Sequence, residues 1–171
     1  IEFFGIGRRE MAAVSAIRRF DAGPNPIREA PGFRLGIQPH APYSCGPSVY
    51  AAAAATARPV STHLAETPAE AGFTKTGTGP FLDLLQRIGG ITDDTGAVAV
   101  SGRHPIDQLL EITPARPWLV AHLNYPSEPD EDANARSGRF EGLARAGITV
   151  AFCPRASRFL GHPLPGHPGH P

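Results

Sequence analysis

An excess charge of either sign is missing from this chain. Its 171 residues hold 16 Lys plus Arg against 16 Asp plus Glu, a formal net charge of zero. Such a balance gives no electrostatic pull toward nucleic acid or an anionic membrane, so neither partner is expected. No apolar run approaches the roughly 20 residues that cross a bilayer. The opening Ile1-Glu2-Phe3-Phe4-Gly5 lacks the basic start and apolar stretch of a signal peptide. A cytoplasmic setting is therefore expected. Cysteine is scarce, with only Cys45 and Cys153, far apart. That excludes a disulfide framework and favours two reduced thiols, Cys153 in the core. Proline is not scarce: 19 Pro accompany 19 Gly, many of them in loops and in the stretch from Gly161 to Pro171.

The remaining pattern alternates strand and helix. Ile1 to Gly5 reads as the end of a strand. Arg8 to Phe20 has helical spacing, with Met11, Val14, Ile17 and Phe20 inward. Asn25 to Gly32, holding two prolines, reads as loop. Phe33 to Gln38 is a strand ending at Pro39. Gly46-Pro47-Ser48 opens an alanine-rich helix to about Ala57, with Pro47 in the first turn. Pro59 to Thr62 is a short strand, and Thr67 to Gly79 is irregular or a short helix. Phe81 to Ile88 and Pro105 to Ile112 are helical, the latter capped by His104. Trp118 to Ala121 is an apolar run typical of a fully buried parallel strand. Asn134 to Ala146 is a helix with Phe140, Leu143 and Ala144 inward, and Ile148 to Cys153 is the clearest strand. About five apolar strands separated by helices imply a parallel α/β sheet. The segment from Leu164 to Pro171 cannot build a core and is expected to be disordered, its histidines and His162 binding metal only adventitiously. The acidic stretch Glu128 to Asp132 reads as a solvated loop, with Asp132 at a helix start.

Polar groups close three of these strands. His40 follows Gln38-Pro39, His63 and Glu66 follow Pro59 to Thr62, and His122 follows Trp118 to Ala121. In a parallel α/β barrel all strand C-termini open onto one face, so groups distant in the chain converge there. A neutral imidazole suits a borderline metal such as zinc. A carboxylate beside that metal suits proton transfer from activated water to a leaving nitrogen. His-x-x-Glu alone is weak, since many helices contain it. The preceding strand and the two other strand-end histidines give it weight.

Pro39-His40-Ala41-Pro42-Tyr43-Ser44, His63-Leu64-Ala65-Glu66-Thr67, Ala121-His122 and Cys153-Pro154-Arg155-Ala156-Ser157 together resemble the amidohydrolase superfamily. The similar branch holds adenosyl-homocysteine, methylthioadenosine, cytosine and guanine deaminases and triazine chlorohydrolases. The resemblance implies a (β/α)8 barrel, of which residues 1–163 would supply about strands 3 to 7. It implies one divalent metal, zinc first and iron second, with His63 as its ligand. It implies Glu66 as proton shuttle and substrate contact, His122 as the group that orients water or steadies charge, and His40 as a substrate contact. The implied substrate is a heterocyclic base or nucleoside, the implied reaction hydrolysis of a carbon–nitrogen bond, and the whole enzyme could be homo-oligomeric.

The chain departs from the family pattern at both ends. The family's first-strand His-x-His and eighth-strand Asp, all metal ligands, have no counterpart here. This stretch is thus expected to be the middle of a longer enzyme and inactive by itself. Two rival readings stand beside deamination: a non-catalytic remnant, and a chlorohydrolase on the same scaffold.

Overall fold

The computed structural model describes residues 1–23, 32–91, 100–113 and 116–162. The expected loop, apart from Gly32, and the expected disordered segment from Leu164 lie outside them. Five strands alternate with helices in the order β1 (Glu2–Phe3), α1 (Glu10–Ala22), β2 (Gln38–Pro39), α2 (Pro47–Ala54), β3 (Ser61–Leu64), α3 (Pro68–Thr76), α4 (Pro80–Arg87), α5 (Pro105–Ile112), β4 (Leu119–His122), α6 (Ala133–Arg145), β5 (Thr149–Ala151) and α7 (Pro154–Phe159). Every pairing is parallel. Glu2 lies opposite Gln38, His63 opposite Ala121, and Val120 opposite Val150. A parallel bridge between Ile37 and Val60 joins β2 to β3, and the His63 amide donates to His40 O at 2.8 Å. Spatial order therefore follows chain order.

Helices cover one face of this sheet. Ile17 of α1, Val49 and Tyr50 of α2, Ile106 and Leu109 of α5 and Leu143 of α6 pack on Ile37, Val60, Leu64, Trp118 and Val120, all buried. Burying each large apolar side chain contributes roughly 1.5–3 kcal/mol. Gly46 lets two helix starts meet: a Cβ there would sit 2.3 Å from the Glu10 carboxyl carbon. The Glu10 carboxylate accepts the Ser48 amide at 2.7 Å and so completes the first turn of α2. Asp132 caps α6 through the Ala135 amide at 2.8 Å, and His104 Nδ1 accepts the Ile106 amide at the start of α5.

Several expectations shift. The strand expected over Phe33 to Gln38 shrinks to Gln38–Pro39, because Phe33 lies in solvent and only Ile37 of that run reaches the core. The strand expected at Pro59 to Thr62 moves to Ser61–Leu64, so His63 belongs to the strand itself. Trp118 to Ala121 is not fully buried. Leu119 and, on the neighbouring strand, Val150 point away from the helices and are 45% and 37% exposed. The expected Ile148–Cys153 strand is three residues, and Cys153 is half-buried beside α7 rather than in the core. Met11 and Ala144 face solvent; Ala13, Val14 and Ile17 carry the inner face of α1. The acidic stretch after β4 is not simply solvated: Glu131 pairs with the buried Arg139, and Glu128 with Lys75. No helix of the described residues is long and apolar enough to cross a membrane.

Candidate active site

The C-terminal ends of β2, β3 and β4 lie side by side, and each carries a histidine. The His40 and His63 rings are 5.1 Å apart, and the His63 and His122 rings 5.2 Å apart. Past β3 the chain turns through Ala65, whose φ is +50°, and Glu66 returns so that its Oε1 lies 3.4 Å from His122 Nε2. Three imidazoles and one carboxylate, distant in the sequence, therefore share one mouth. The turn after β4 is left-handed as well, with φ of +77° at His122 and +51° at Leu123. A non-glycine residue in that region costs about 1–3 kcal/mol and persists only where its surroundings fix it.

Hydrogen bonds hold two of the rings, His40 and His63, whereas His122 Nδ1 is buried with no partner among the described residues. His40 Nδ1 meets Ser44 Oγ at 2.6 Å, and His63 Nδ1 meets His40 O at 3.1 Å. With its Nδ1 proton given to a carbonyl, an imidazole keeps Nε2 as a lone-pair donor, the usual arrangement behind a metal-binding histidine. His40 is held neutral: burial lowers its pKa to about 4 against the opposing pull of Glu2. Burial likewise lowers that of His122, with Glu66 opposing and His63 and His162 adding to the fall. Both rings are therefore uncharged at neutral pH, as metal or substrate contact requires.

Other groups at this mouth carry no sequence motif. Glu2, at the start of β1, places a carboxylate oxygen 3.6 Å from His63 Nδ1 and accepts from Gln38 Nε2 at 2.8 Å. One ligand atom each from Glu2, His40 and His63 lie within 4.8 Å of one another. One carboxylate and two imidazoles form a donor set that suits zinc or iron(II). Glu2 was not legible as a site residue, because only its pairing opposite Gln38 brings it there. Asn124 donates to Glu66 O at 3.2 Å and accepts from Ser157 Oγ at 3.2 Å. His162, grouped above with the terminal histidines, instead meets Tyr125 Oη through Nδ1 at 3.2 Å.

No protein-family model matches the chain. Among curated proteins it is 33% identical over 144 residues to the aminodeoxyfutalosine deaminase of Deinococcus radiodurans, which covers 77% of this chain and 31% of the relative. Among solved structures it superposes on Helicobacter pylori aminofutalosine deaminase with a TM-score of 0.64 at 17% identity, over 92% of this chain and 37% of that one. In sequence the chain is similar to the first of these deaminases. The amidohydrolase-superfamily resemblance read from its four motifs therefore stands. The second likeness shows the shared α/β fold. The chain spans about a third of the length of either protein.

Proposed function

We propose that the protein carrying this segment is a metal-dependent cytoplasmic deaminase acting on an aminofutalosine-type compound, the substrate class its relatives' names give. The reading rests on one observation: the Glu66 carboxylate stands 3.4 Å from His122 at a mouth shared with His63 and His40. In it, the five consecutive parallel strands are part of a (β/α)8 barrel. His63 would hold one divalent metal, zinc first and iron second, with Glu2 and His40 in reach, and the metal would supply an acidified water.

The chain's own groups account for the remaining steps. Glu66 takes the proton of the attacking water and returns it to the departing nitrogen, the shuttle that a carboxylate beside a metal performs. His122, uncharged and against Glu66, donates to the charge that develops on the ring during attack. His40, fixed by Ser44, contacts the substrate, and the edge of Tyr43 lies 5.4 Å from its ring. The described donors within reach of one ion number only Glu2, His40 and His63.

The experiment is metal analysis and turnover of the protein carrying this segment. Glu66→Gln is expected to keep stoichiometric metal and lose at least a thousandfold in kcat; His63→Ala is expected to lose the metal. Undiminished turnover in Glu66→Gln refutes the shuttle, and full metal content in His63→Ala refutes the ligand.

A further inference from the structure

The geometry points to Glu70 as a positioning residue for Glu66, holding the strained turn from which the proton shuttle projects. The inference rests on Glu66 having the role proposed above.

Thr67-Pro68-Ala69-Glu70 has the form of a capping box, in which the fourth residue's carboxylate reaches back to the amide of the first. That is not what happens here. Thr67 offers no side-chain cap to α3, and its Oγ1 is buried with no partner among the described residues. The Glu70 carboxylate reaches past Thr67. Its Oε2 accepts the Glu66 amide at 2.9 Å, and the nearby Ala65 amide also favours the carboxylate. These two amides flank the left-handed Ala65, the point at which the chain folds back to aim Glu66 at His122.

The other side of the same turn is held too. Asn124 donates to Glu66 O, and Tyr125 N donates to Ala65 O at 3.0 Å. The turn is thus gripped by its N–H groups from α3 and by its carbonyls from the loop after β4. Glu70 is 1% exposed, and its Oε1 has no partner among the described residues. Burying a carboxyl with one oxygen unpartnered is costly, and a helix cap alone would not require it. Glu70 touches none of the three histidines by hydrogen bond; it acts through the Glu66 backbone.

The test compares Glu70→Met, which fills the space without an acceptor, with Glu70→Gln, which keeps an acceptor oxygen. Two readouts are taken. One is kcat and KM of the protein carrying this segment. The other is the imidazole titration of His122 followed by NMR without metal, with Glu66→Gln as reference. Glu70→Met is expected to lower kcat at least tenfold with KM within about twofold, and to move the His122 midpoint down to that of Glu66→Gln. Glu70→Gln is expected to stay within about threefold of wild type in kcat. A folded Glu70→Met whose His122 midpoint and kcat match wild type overturns the assignment. If Glu70→Met does not fold, Glu70→Asp decides by the same two readouts, since its shorter side chain withdraws the acceptor. Turnover retained in Glu66→Gln refutes the shuttle, while the His122 midpoint still reports whether Glu70 aims the carboxylate.

Discussion

Raising the pH should destabilise this protein through one side chain, and replacing that side chain with one that cannot ionise should abolish the effect. Glu70 is fully enclosed, and burial is the main reason its pKa rises from 4.5 to about 8, with the Glu66 and Ala65 amides opposing and the Glu66 charge assisting. The folded state therefore binds a proton that the unfolded chain has released. For a group with a raised folded pKa, the stabilisation is complete below about pH 4.5 and disappears as pH climbs through about 8. At about 1.4 kcal/mol per pH unit of unequal proton binding, stability falls by about 2 kcal/mol between roughly pH 6.5 and 8.5. In a domain of this size that is a Tm drop of about 4–8 °C.

Comparison with Glu70→Gln isolates Glu70 in this window. His40 and His104 have pKa values lowered by burial to about 4, and burial lowers that of His122 as well, so their contributions grow as pH rises through 6.5 and level off by about pH 7.5, equally in both proteins. Burial raises the Cys45 thiol above 9.0, so ionisation of that thiol in the unfolded chain adds only a small loss near the top of the window, the same in both proteins. The assay is calorimetric or circular-dichroism melting across that range, with Glu70→Gln alongside. The amide cannot ionise, so across this range the Tm of wild type should fall relative to that of Glu70→Gln. Equal slopes in the two proteins would refute the reasoning.

Two further outcomes test the packing beside the mouth. Arg139, 6% exposed, donates to Asp107 at 3.0 Å, to Glu131 at 2.5 Å and to Pro126 O at 3.0 Å. Arg139→Met should cost about 3 kcal/mol in chemical denaturation, the low end for stranding a buried partner, because Asp107 can rehydrate; a loss below about 1 kcal/mol would show that the clamp is not needed. Tyr50 Oη lies 3.0 Å from Thr62 Oγ1, which also donates to His40 O at 3.2 Å. Tyr50→Phe should cost only about 1 kcal/mol in the same assay, because Thr62 keeps a partner; a loss above about 3 kcal/mol would contradict that accounting.

The convergence of His40, His63, Glu66 and His122 was readable from sequence because parallel strands deliver their C-terminal ends to one side. Knowing that each residue closes a strand was enough, even with β3 misplaced by two residues. What stayed hidden depends on pairing rather than pattern. Glu2 sits on a two-residue strand and acquires meaning only opposite Gln38. Glu70 sits where a cap is expected, and the diversion of its carboxylate to Glu66 leaves no trace in residue order. Leu119 and Val150 read as buried because an apolar run does not record how many faces of a sheet are covered. Arg139 lies on a helix for which only Phe140, Leu143 and Ala144 were expected inward, and the loop after β4 helps to enclose it.

The two strained turns at the mouth share their support, and this couples Glu66 to His122. Leu123 N donates to Leu64 O, and Tyr125 N to Ala65 O, each at 3.0 Å, so the turn after β4 is bonded directly to the turn after β3. Ala65 and Leu123 are each 1% exposed and lie in the main core. Their left-handed backbones, at about 1–3 kcal/mol apiece, are held by that burial and by those bonds. Neither turn can relax without breaking a hydrogen bond to the other. The 3.4 Å contact between carboxylate and imidazole thus follows from the backbone beneath it, since neither side chain touches the other except through the path its own strand end imposes. An apparatus of this kind fixes a proton carrier and its partner at one separation, which a flexible loop carrying the same residues would not do.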